Sequence, residues 1–154
     1  EQNAGHAGIA CAMKNTGVGV GLPDKGRARL EVRGGVVEIY AAASDIGQGC
    51  ATVFLQMLAE TTGLPLEKLR NMGANSEVAP DSGTTSGSRQ TLITGEAVRM
   101  AAAELRADLD GAGGDLSALE GLEYSAEFSI PPTSWGPTSP IPRATWPTAS
   151  PPMW

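Results

Sequence analysis

The 154-residue sequence lacks the features that mark several large classes of protein. Positive charge is scarce, because 11 Lys and Arg stand against 17 Asp and Glu, for a formal net charge of −6. Nucleic-acid binding normally needs a basic patch, so we expect no nucleic-acid partner. No run approaches the roughly 18 apolar residues of a membrane span, and Glu1-Gln2-Asn3 does not resemble the start of a signal peptide. We therefore expect no membrane association.

Residues that commonly bind metals or act as nucleophiles are also few. The two cysteines, Cys11 and Cys50, have neither metal-ligand nor disulfide spacing, which favours a reducing, cytoplasmic location. The single histidine, His6, lies among small apolar residues and is interpreted as structural. Cys50 follows Gly49 at a predicted helix start, where a thiolate would be stabilised. With no histidine near it in sequence, Cys50 is better interpreted as a small core side chain. No carboxylate pair suggests an acid/base couple.

Aromatic residues make up 5% of the chain, and all three tryptophans lie near its C-terminus. Segment 129–154 holds them together with eight of the eleven prolines and a single charged residue, Arg143. Proline at this density prevents both helix and strand. We therefore expect one domain over residues 1–128, followed by a proline-rich, disordered tail over 129–154.

The rest of the chain alternates between strand-like and helix-like patterns. Residues 28–32 and 36–42 read as strands joined by the turn Arg33-Gly34-Gly35, which predicts a hairpin. Further strands are predicted over 5–20, 68–73 and 122–128, and helices over 51–62 and 88–109. The apolar face of the second helix is predicted to comprise Leu92, Ile93, Ala97, Val98, Ala101, Ala102, Leu105 and Leu109. The predicted fold class is α+β, a small mixed β-sheet carrying two main helices on one side.

Both helices are entered through polar loops that contain glycine. In the first loop, residues 44–49, Gly47 and Gly49 flank Gln48, so the backbone can approach a ligand and free N–H groups can meet an anion. The Gln48 amide can both donate and accept hydrogen bonds, which suits an oxo group, a dithiolene or a pterin. The second loop, residues 81–91, offers backbone amides, several hydroxyls and one guanidinium, a donor set suited to phosphate or pyrophosphate.

Each loop also has a purely structural interpretation. Two glycines are common in ordinary strand-to-helix connections, and Ser or Thr before a helix can simply cap it, leaving Arg89 a solvated charge. Asp24, Asp45 and Asp81 are interpreted first as turn residues. Neither loop has the spacing of a Walker loop or a dinucleotide-binding fingerprint. From spacing alone, a shared anionic ligand and an ordinary structural role both remain open.

Taken together, the motifs resemble one family. Residues 45–56 resemble the Gly-Gln-Gly segment of the molybdenum hydroxylases of the xanthine dehydrogenase and aldehyde oxidase type, and the pattern continues through Gly63-Leu64-Pro65. Residues 80–91, followed by Gly95-Glu96-Ala97-Val98, resemble the second cofactor loop of the same family. The resemblance covers roughly residues 5–110 in the correct order. Asn75-Ser76 departs from the Asp-Thr pair that is frequent there.

The resemblance implies a cofactor and a set of binding residues. The cofactor is molybdenum–molybdopterin cytosine dinucleotide. Gln48 would approach the molybdenum without being a proven ligand, with Gly47 and Gly49 shaping its turn. The residues implied for the pterin and phosphate part are Ser86, Gly87, Ser88, Arg89 and Gln90. The chain would be an inactive piece of a larger molybdopterin-binding domain and would contain no catalytic base.

The resemblance also implies an activity and partners. The complete enzyme would be an oxidoreductase that hydroxylates purines, aldehydes or N-heterocycles with water as the oxygen source. Its partners would be the rest of its own molybdenum subunit, iron–sulfur and flavin subunits or domains, and a small heterocycle or aldehyde substrate. Two alternatives are a noncatalytic anion-binding or assembly module and a decayed gene fragment.

The tail can be tested against the genetic code. Read from the third base of each codon, Arg143 to Trp154 permits Ser-His-Val-Ala-Tyr-Gly-Phe-Ala-Thr-His-Val. The family has a similar segment, Ser-His-Val-Ala-Tyr-Gly-Phe-Ala-Thr, after the corresponding strand. We therefore expect the residues after about Ser129 to result from a one-base frameshift.

Overall fold

The computed structural model describes residues 10, 11 and 23–130 and contains one mixed sheet and two helices. The elements in chain order are β1 (Asp24–Arg33), β2 (Val36–Tyr40), α1 (Cys50–Thr62), β3 (Leu69–Asn71), α2 (Arg89–Gly111) and β4 (Glu123–Ile130). The strand order is β3-β2-β1-β4, with β3 parallel to β2 and the other neighbours antiparallel. The predicted α+β class with a small mixed sheet and two main helices is confirmed.

The predicted hairpin forms where two glycines allow a tight turn. Gly34 and Gly35 have φ values of 59° and 72°, the left-handed conformation that a two-residue hairpin turn requires. The ladder runs from Arg33↔Val36 to Arg29↔Tyr40. β1 begins four residues earlier than predicted, at Asp24, because its first half pairs with β4 as far as Ile130.

Both helices pack on the face of the sheet that carries the apolar residues of each strand. The core joins Leu30 and Val32 of β1 and Ile39 of β2 to the buried faces of α1 and α2. Seven of the eight residues predicted for the apolar face of α2 are buried, and Leu92 is wrong because 60% of it is exposed. Gly63, with φ 74°, ends α1 as predicted.

The opposite face of the sheet carries charged residues that pair across strands. Arg27 and Lys25 of β1 both contact Glu127 of β4, at 2.6 and 3.4 Å, and Arg29 contacts Glu123 at 2.9 Å. The alternation between apolar and charged residues in β1 is therefore the alternation between its two faces. Exposed pairs of this kind contribute little each, so the core and the hydrogen-bonded ladder hold the sheet together.

Three predictions fall wholly or partly outside the described residues. The buried strand over 5–20 and the structural role of His6 lie outside them, apart from residues 10 and 11. Of the predicted tail, Ser129 and Ile130 form the end of β4, while residues 131–154 lie outside the described part. Within residues 10, 11 and 23–130, no helix combines the length and hydropathy that crossing a membrane requires.

The environment of Tyr124 should make the stability of the fold depend on pH. Its hydroxyl donates to Asp108 Oδ2 at 3.0 Å, and burial together with this carboxylate raises its pKa from 10.0 to about 12. A raised folded-state pKa stabilises the fold fully below pH 10, and that stabilisation is lost as pH rises towards 12. Tyr124→Phe should therefore cost about 1 kcal/mol near pH 8. The cost should shrink at about pH 11 in urea unfolding, and a cost that stays constant would contradict this assignment.

Candidate functional site

The two polar loops lie side by side at one end of the sheet. The Ala42 N–H donates to the carbonyl of Pro80 at 3.1 Å, and the Ser44 N–H donates to Thr85 Oγ1 at 3.1 Å. The first loop leads into α1 and the second leads into α2, so two helix N-termini meet here. The structure thus brings together the two loops that the sequence analysis identified separately.

The first loop is closed by Asp45, which the sequence analysis treated only as a turn residue. Asp45 Oδ1 accepts hydrogen bonds from the N–H groups of Gly47, at 2.9 Å, and Gly49, at 3.2 Å. Both glycines have positive φ, 101° and 78°, which aims their N–H groups at the same carboxylate. These bonds lower the pKa of Asp45. The N–H groups of Gly47 and Gly49 are therefore both used within the loop.

Gln48 binds its own loop through both ends of its amide. Its Oε1 accepts from the Ile46 N–H at 2.6 Å, and its Nε2 donates to the Ser44 carbonyl at 3.1 Å. The side chain is half-buried and its neighbours on both sides are glycines. Both hydrogen bonds of the amide therefore lie within the loop.

Arg89 fixes the second loop instead of projecting from it. Its side chain is 8% exposed, and Nε lies 2.5 Å from Asp24 Oδ1 at the start of β1. Its terminal nitrogens donate to the carbonyls of Ser82, Thr84 and Lys25 at 3.0, 2.9 and 2.5 Å. The interpretation of Arg89 as a solvated charge is wrong. The N–H groups of the Arg89 guanidinium, which were expected to bind a phosphate, donate to oxygen atoms of the protein instead.

Gln90 is likewise directed into the protein. It is fully buried, its Nε2 donates to Thr85 Oγ1 at 3.0 Å, and its Oε1 accepts from the hydroxyl of Thr94. Asp24, Asp45 and Thr85 are thus functional candidates that the sequence analysis did not assign. Asp24 pairs with a residue 65 positions away, so no local pattern could have revealed it.

Ser86, Gly87 and Ser88 keep their donors available. Among the described residues, the N–H groups of Thr84 to Ser88 have no hydrogen-bond acceptor, and the hydroxyls of Ser86 and Ser88 have no partner. Ser86 and Ser88 are exposed, and Gly87 has φ 53°. Backbone amides and hydroxyls that converge at a helix N-terminus suit the oxygens of an anion.

Cys50 shows no activation as a nucleophile. It is buried in the core, with Sγ 3.6 Å from the Ser44 carbonyl. Burial, with a smaller contribution from Asp45, raises the pKa of its thiol. The interpretation of Cys50 as a small core side chain is confirmed. Within the described residues, no three His, Cys, Asp or Glu side chains are grouped closely enough to hold a metal ion.

Comparison with known proteins decides the family. The family model of the molybdopterin cofactor-binding domain matches residues 1–129. The chain belongs to this family. A xanthine dehydrogenase molybdenum-binding subunit of Escherichia coli is 34% identical over 101 residues, covering 64% of this chain and 13% of that protein. The aldehyde oxidoreductase of Megalodesulfovibrio gigas is 31% identical over 129 residues, covering 80% of this chain and 14% of that protein.

Solved structures of this family share the fold. The chain aligns with a crystal structure of the Cu,Mo-CO dehydrogenase at a TM-score of 0.60 and 20% identity, covering 70% of this chain and 19% of that one. The family model and the two relatives in sequence confirm the resemblance to the molybdenum hydroxylases, and this structure confirms the fold. The molybdopterin cofactor-binding chain spans 13% and 14% of the lengths of the two relatives that it matches in sequence.

The donor set of the second loop fits the cofactor that the family binds. A molybdopterin carries a phosphate, and its dinucleotide form carries a second one. The N–H groups of residues 84–88 and the hydroxyls of Ser86 and Ser88, which have no partner among the described residues, are donors of the kind that a phosphate accepts from. The first loop presents an amide that can both donate and accept beside two glycines, where a larger planar group can approach the backbone.

Proposed function

We propose that the chain binds molybdenum as molybdopterin cytosine dinucleotide, held between its two polar loops. The observation that carries the proposal is the 3.1 Å hydrogen bond from the Ser44 N–H to Thr85 Oγ1, because it joins the two family motifs at adjacent helix N-termini. Helix N-termini favour anions through their unpaired N–H groups and their dipole. A ligand that carries phosphates can therefore contact both loops.

The residues of the two loops have different roles in this proposal. Gln48, flanked by Gly47 and Gly49, faces the molybdenum end of the ligand, and its amide exchanges bonds within the loop for contacts with the ligand. Ser86, Gly87 and Ser88 bind phosphate oxygens through their N–H groups and hydroxyls. Arg89 and Gln90 hold the loop in shape from inside the protein. When bound, the cofactor supplies the metal centre at which an oxygen atom derived from water is transferred to an electron-poor carbon.

We further propose that the chain is one part of an oxidoreductase that hydroxylates purines, aldehydes or N-heterocycles. The names of its relatives, a xanthine dehydrogenase subunit and an aldehyde oxidoreductase, support this substrate range. The remaining partners are the rest of the molybdenum subunit and iron–sulfur and flavin subunits or domains, in the cytoplasm. Because the chain spans 13–14% of these relatives, we expect no turnover from the chain alone.

Cofactor content tests the proposal directly. The full chain, purified from a bacterial host that makes the cytosine dinucleotide cofactor, should contain molybdenum by mass spectrometry and release an equal amount of cytidine monophosphate on acid treatment. Replacing Ser86 and Ser88 together by Ala should weaken cofactor binding at least about a hundredfold and lower both contents accordingly, since each hydroxyl bonded to a charged oxygen contributes about 1.5–3 kcal/mol.

The control is the pair of exposed serines on β4, Ser125 and Ser129, which lie on the charged face of the sheet. Replacing this pair by Ala should leave both contents unchanged. A folded wild-type chain that takes up neither molybdenum nor nucleotide would contradict the proposal. Uptake of nucleotide without molybdenum would support the noncatalytic anion-binding alternative instead.

For the tail, we propose that residues after about Ser129 are translated out of frame. The family match ends at residue 129, which supports a boundary there. Sequencing the gene tests this: an intact frame that encodes this proline-rich segment, with no family-like strand in the alternative frame, would overturn it.

A further inference from the structure

The hydroxyl of Thr85 links the first loop to helix α2. Its oxygen accepts one hydrogen bond from the Ser44 N–H, at 3.1 Å, and another from Gln90 Nε2, at 3.0 Å. A hydroxyl oxygen has two acceptor sites and one proton, so both acceptor sites are filled. Among the described residues the proton has no acceptor, and the side chain is only half-buried.

The buried side chain of Gln90 fixes the position of the Thr85 hydroxyl. It is fully buried, as is Thr94, whose hydroxyl donates to Gln90 Oε1. Turning the Gln90 amide away from Thr85 would leave buried polar atoms unpaired, which is unfavourable. The position of the Thr85 oxygen is therefore set by the first turn of α2, and the backbone of Ser44 follows it.

We propose that Thr85 is a positioning residue that couples the two loops and donates its hydroxyl proton to an anionic oxygen of the ligand between them. The donation rests on the proposed function, whereas the coupling does not. Two N–H groups that donate to one oxygen polarise its O–H bond, which makes the proton a better donor. Ligand binding at the second loop is thereby linked to the backbone that carries Gln48.

The neighbouring Thr84 provides a matched control. It is the same residue type and is exposed, and its side chain makes no hydrogen bond within the described residues. Its carbonyl accepts from Arg89 at 2.9 Å, a contact that a side-chain substitution leaves in place. Thr84→Val and Thr85→Val therefore remove the same hydroxyl from adjacent positions, of which only Thr85 joins the loops.

The coupling is tested without any ligand by hydrogen exchange of the Ser44 amide, followed by NMR on the full chain. Thr85→Val should speed this exchange about fivefold, as expected for a lost hydrogen bond worth about 1 kcal/mol. Thr85→Ser, which keeps the hydroxyl, and Thr84→Val should leave the rate unchanged. Thr85→Ala serves if Thr85→Val does not fold. An unchanged Ser44 rate in the folded variant would overturn the coupling.

The donation is tested by molybdenum and cytidine monophosphate per folded chain in the same variants. Thr85→Val should carry about tenfold less of both, while Thr85→Ser and Thr84→Val should match the wild type. A loaded wild type with equal contents in Thr85→Val and Thr84→Val would overturn the donation. A wild type that carries no cofactor would instead contradict the proposed function, and Ser44 exchange would still decide the coupling.

Discussion

Replacing Arg89 by methionine will lower the free energy of unfolding by about 3–5 kcal/mol, because it leaves a buried carboxylate without its partner. The side chains of Arg89 and Asp24 are 8% and 11% exposed, and their atoms lie 2.5 Å apart. The carbonyls of Ser82, Thr84 and Lys25 lose their donor at the same time. Urea denaturation of the chain without cofactor measures the effect.

The control for this prediction is Arg99 of the same helix. Arg99 pairs with Glu96 at 2.6 Å on the exposed side of α2, with 52% of its side chain accessible. Arg99→Met should cost less than about 1 kcal/mol. Replacing Asp24 by Leu together with Arg89→Met should cost less than the sum of the two single changes, since neither charge is then left alone.

The same experiment separates two roles for Arg89. A residue that only binds the ligand has no effect on the stability of the cofactor-free chain, whereas a residue that holds the loop in place lowers it before any ligand is added. Equal stability of Arg89→Met and Arg99→Met would restore the phosphate-binding role that the family resemblance implies. The geometry favours the role of holding the loop in place, because the guanidinium makes four hydrogen bonds within this chain.

The elements that the sequence predicted well are those whose signal is local. The glycine pair at 34–35 and the glycine at 63 determine their own turns through φ, and the apolar spacing of α2 determines its buried face. Leu92 is the exception, because it lies in the first turn of α2 and is 60% exposed although the helical spacing includes it in the apolar face.

Side-chain direction at the site was not predictable in the same way. Arg89 and Gln90 follow Ser88 in a motif that reads as a row of ligand donors, yet both turn inward towards partners that the fold supplies. Asp24 is one such partner, and it is distant in sequence. Asp45 is local, and its interpretation as a turn residue agrees with the structure, because its carboxylate accepts from the N–H of Gly47 two residues on. The residues named for the two loops otherwise remain predictions.

Gly26→Ala is expected to lower the free energy of unfolding by about 3 kcal/mol, because β1 lies too close to α2 for a side chain at this position. A Cβ there would lie 2.9 Å from Ile93 Cγ2 and 2.9 Å from the backbone nitrogen of Thr94. The nitrogen belongs to the hydrogen-bonded backbone of α2, so it can move only if the helix moves. The midpoint of urea denaturation, with an unchanged slope, measures the loss.

Gly95→Ala is the matched comparison, since its Cβ would meet an even shorter contact but should cost little stability. The nearest atom is Met57 Sδ at 2.7 Å, the end of a flexible side chain that can rotate away. Alanine in a helix also gains about 1 kcal/mol over glycine, so Gly95→Ala should remain within about 1 kcal/mol of the wild type. Equal losses in the two variants would contradict the role of backbone rigidity.

Gly26 also bears on the site, because the helix turn that it contacts carries Thr94, the partner of Gln90. Moving this turn away from β1 displaces Gln90 and, through Thr85, the Ser44 backbone of the first loop. Gly26→Ala should therefore speed hydrogen exchange of the Ser44 amide, while Gly95→Ala should not. If Ser44 exchange were unchanged in a destabilised Gly26→Ala chain, the close approach of β1 to α2 would serve the core alone and would not position the loops.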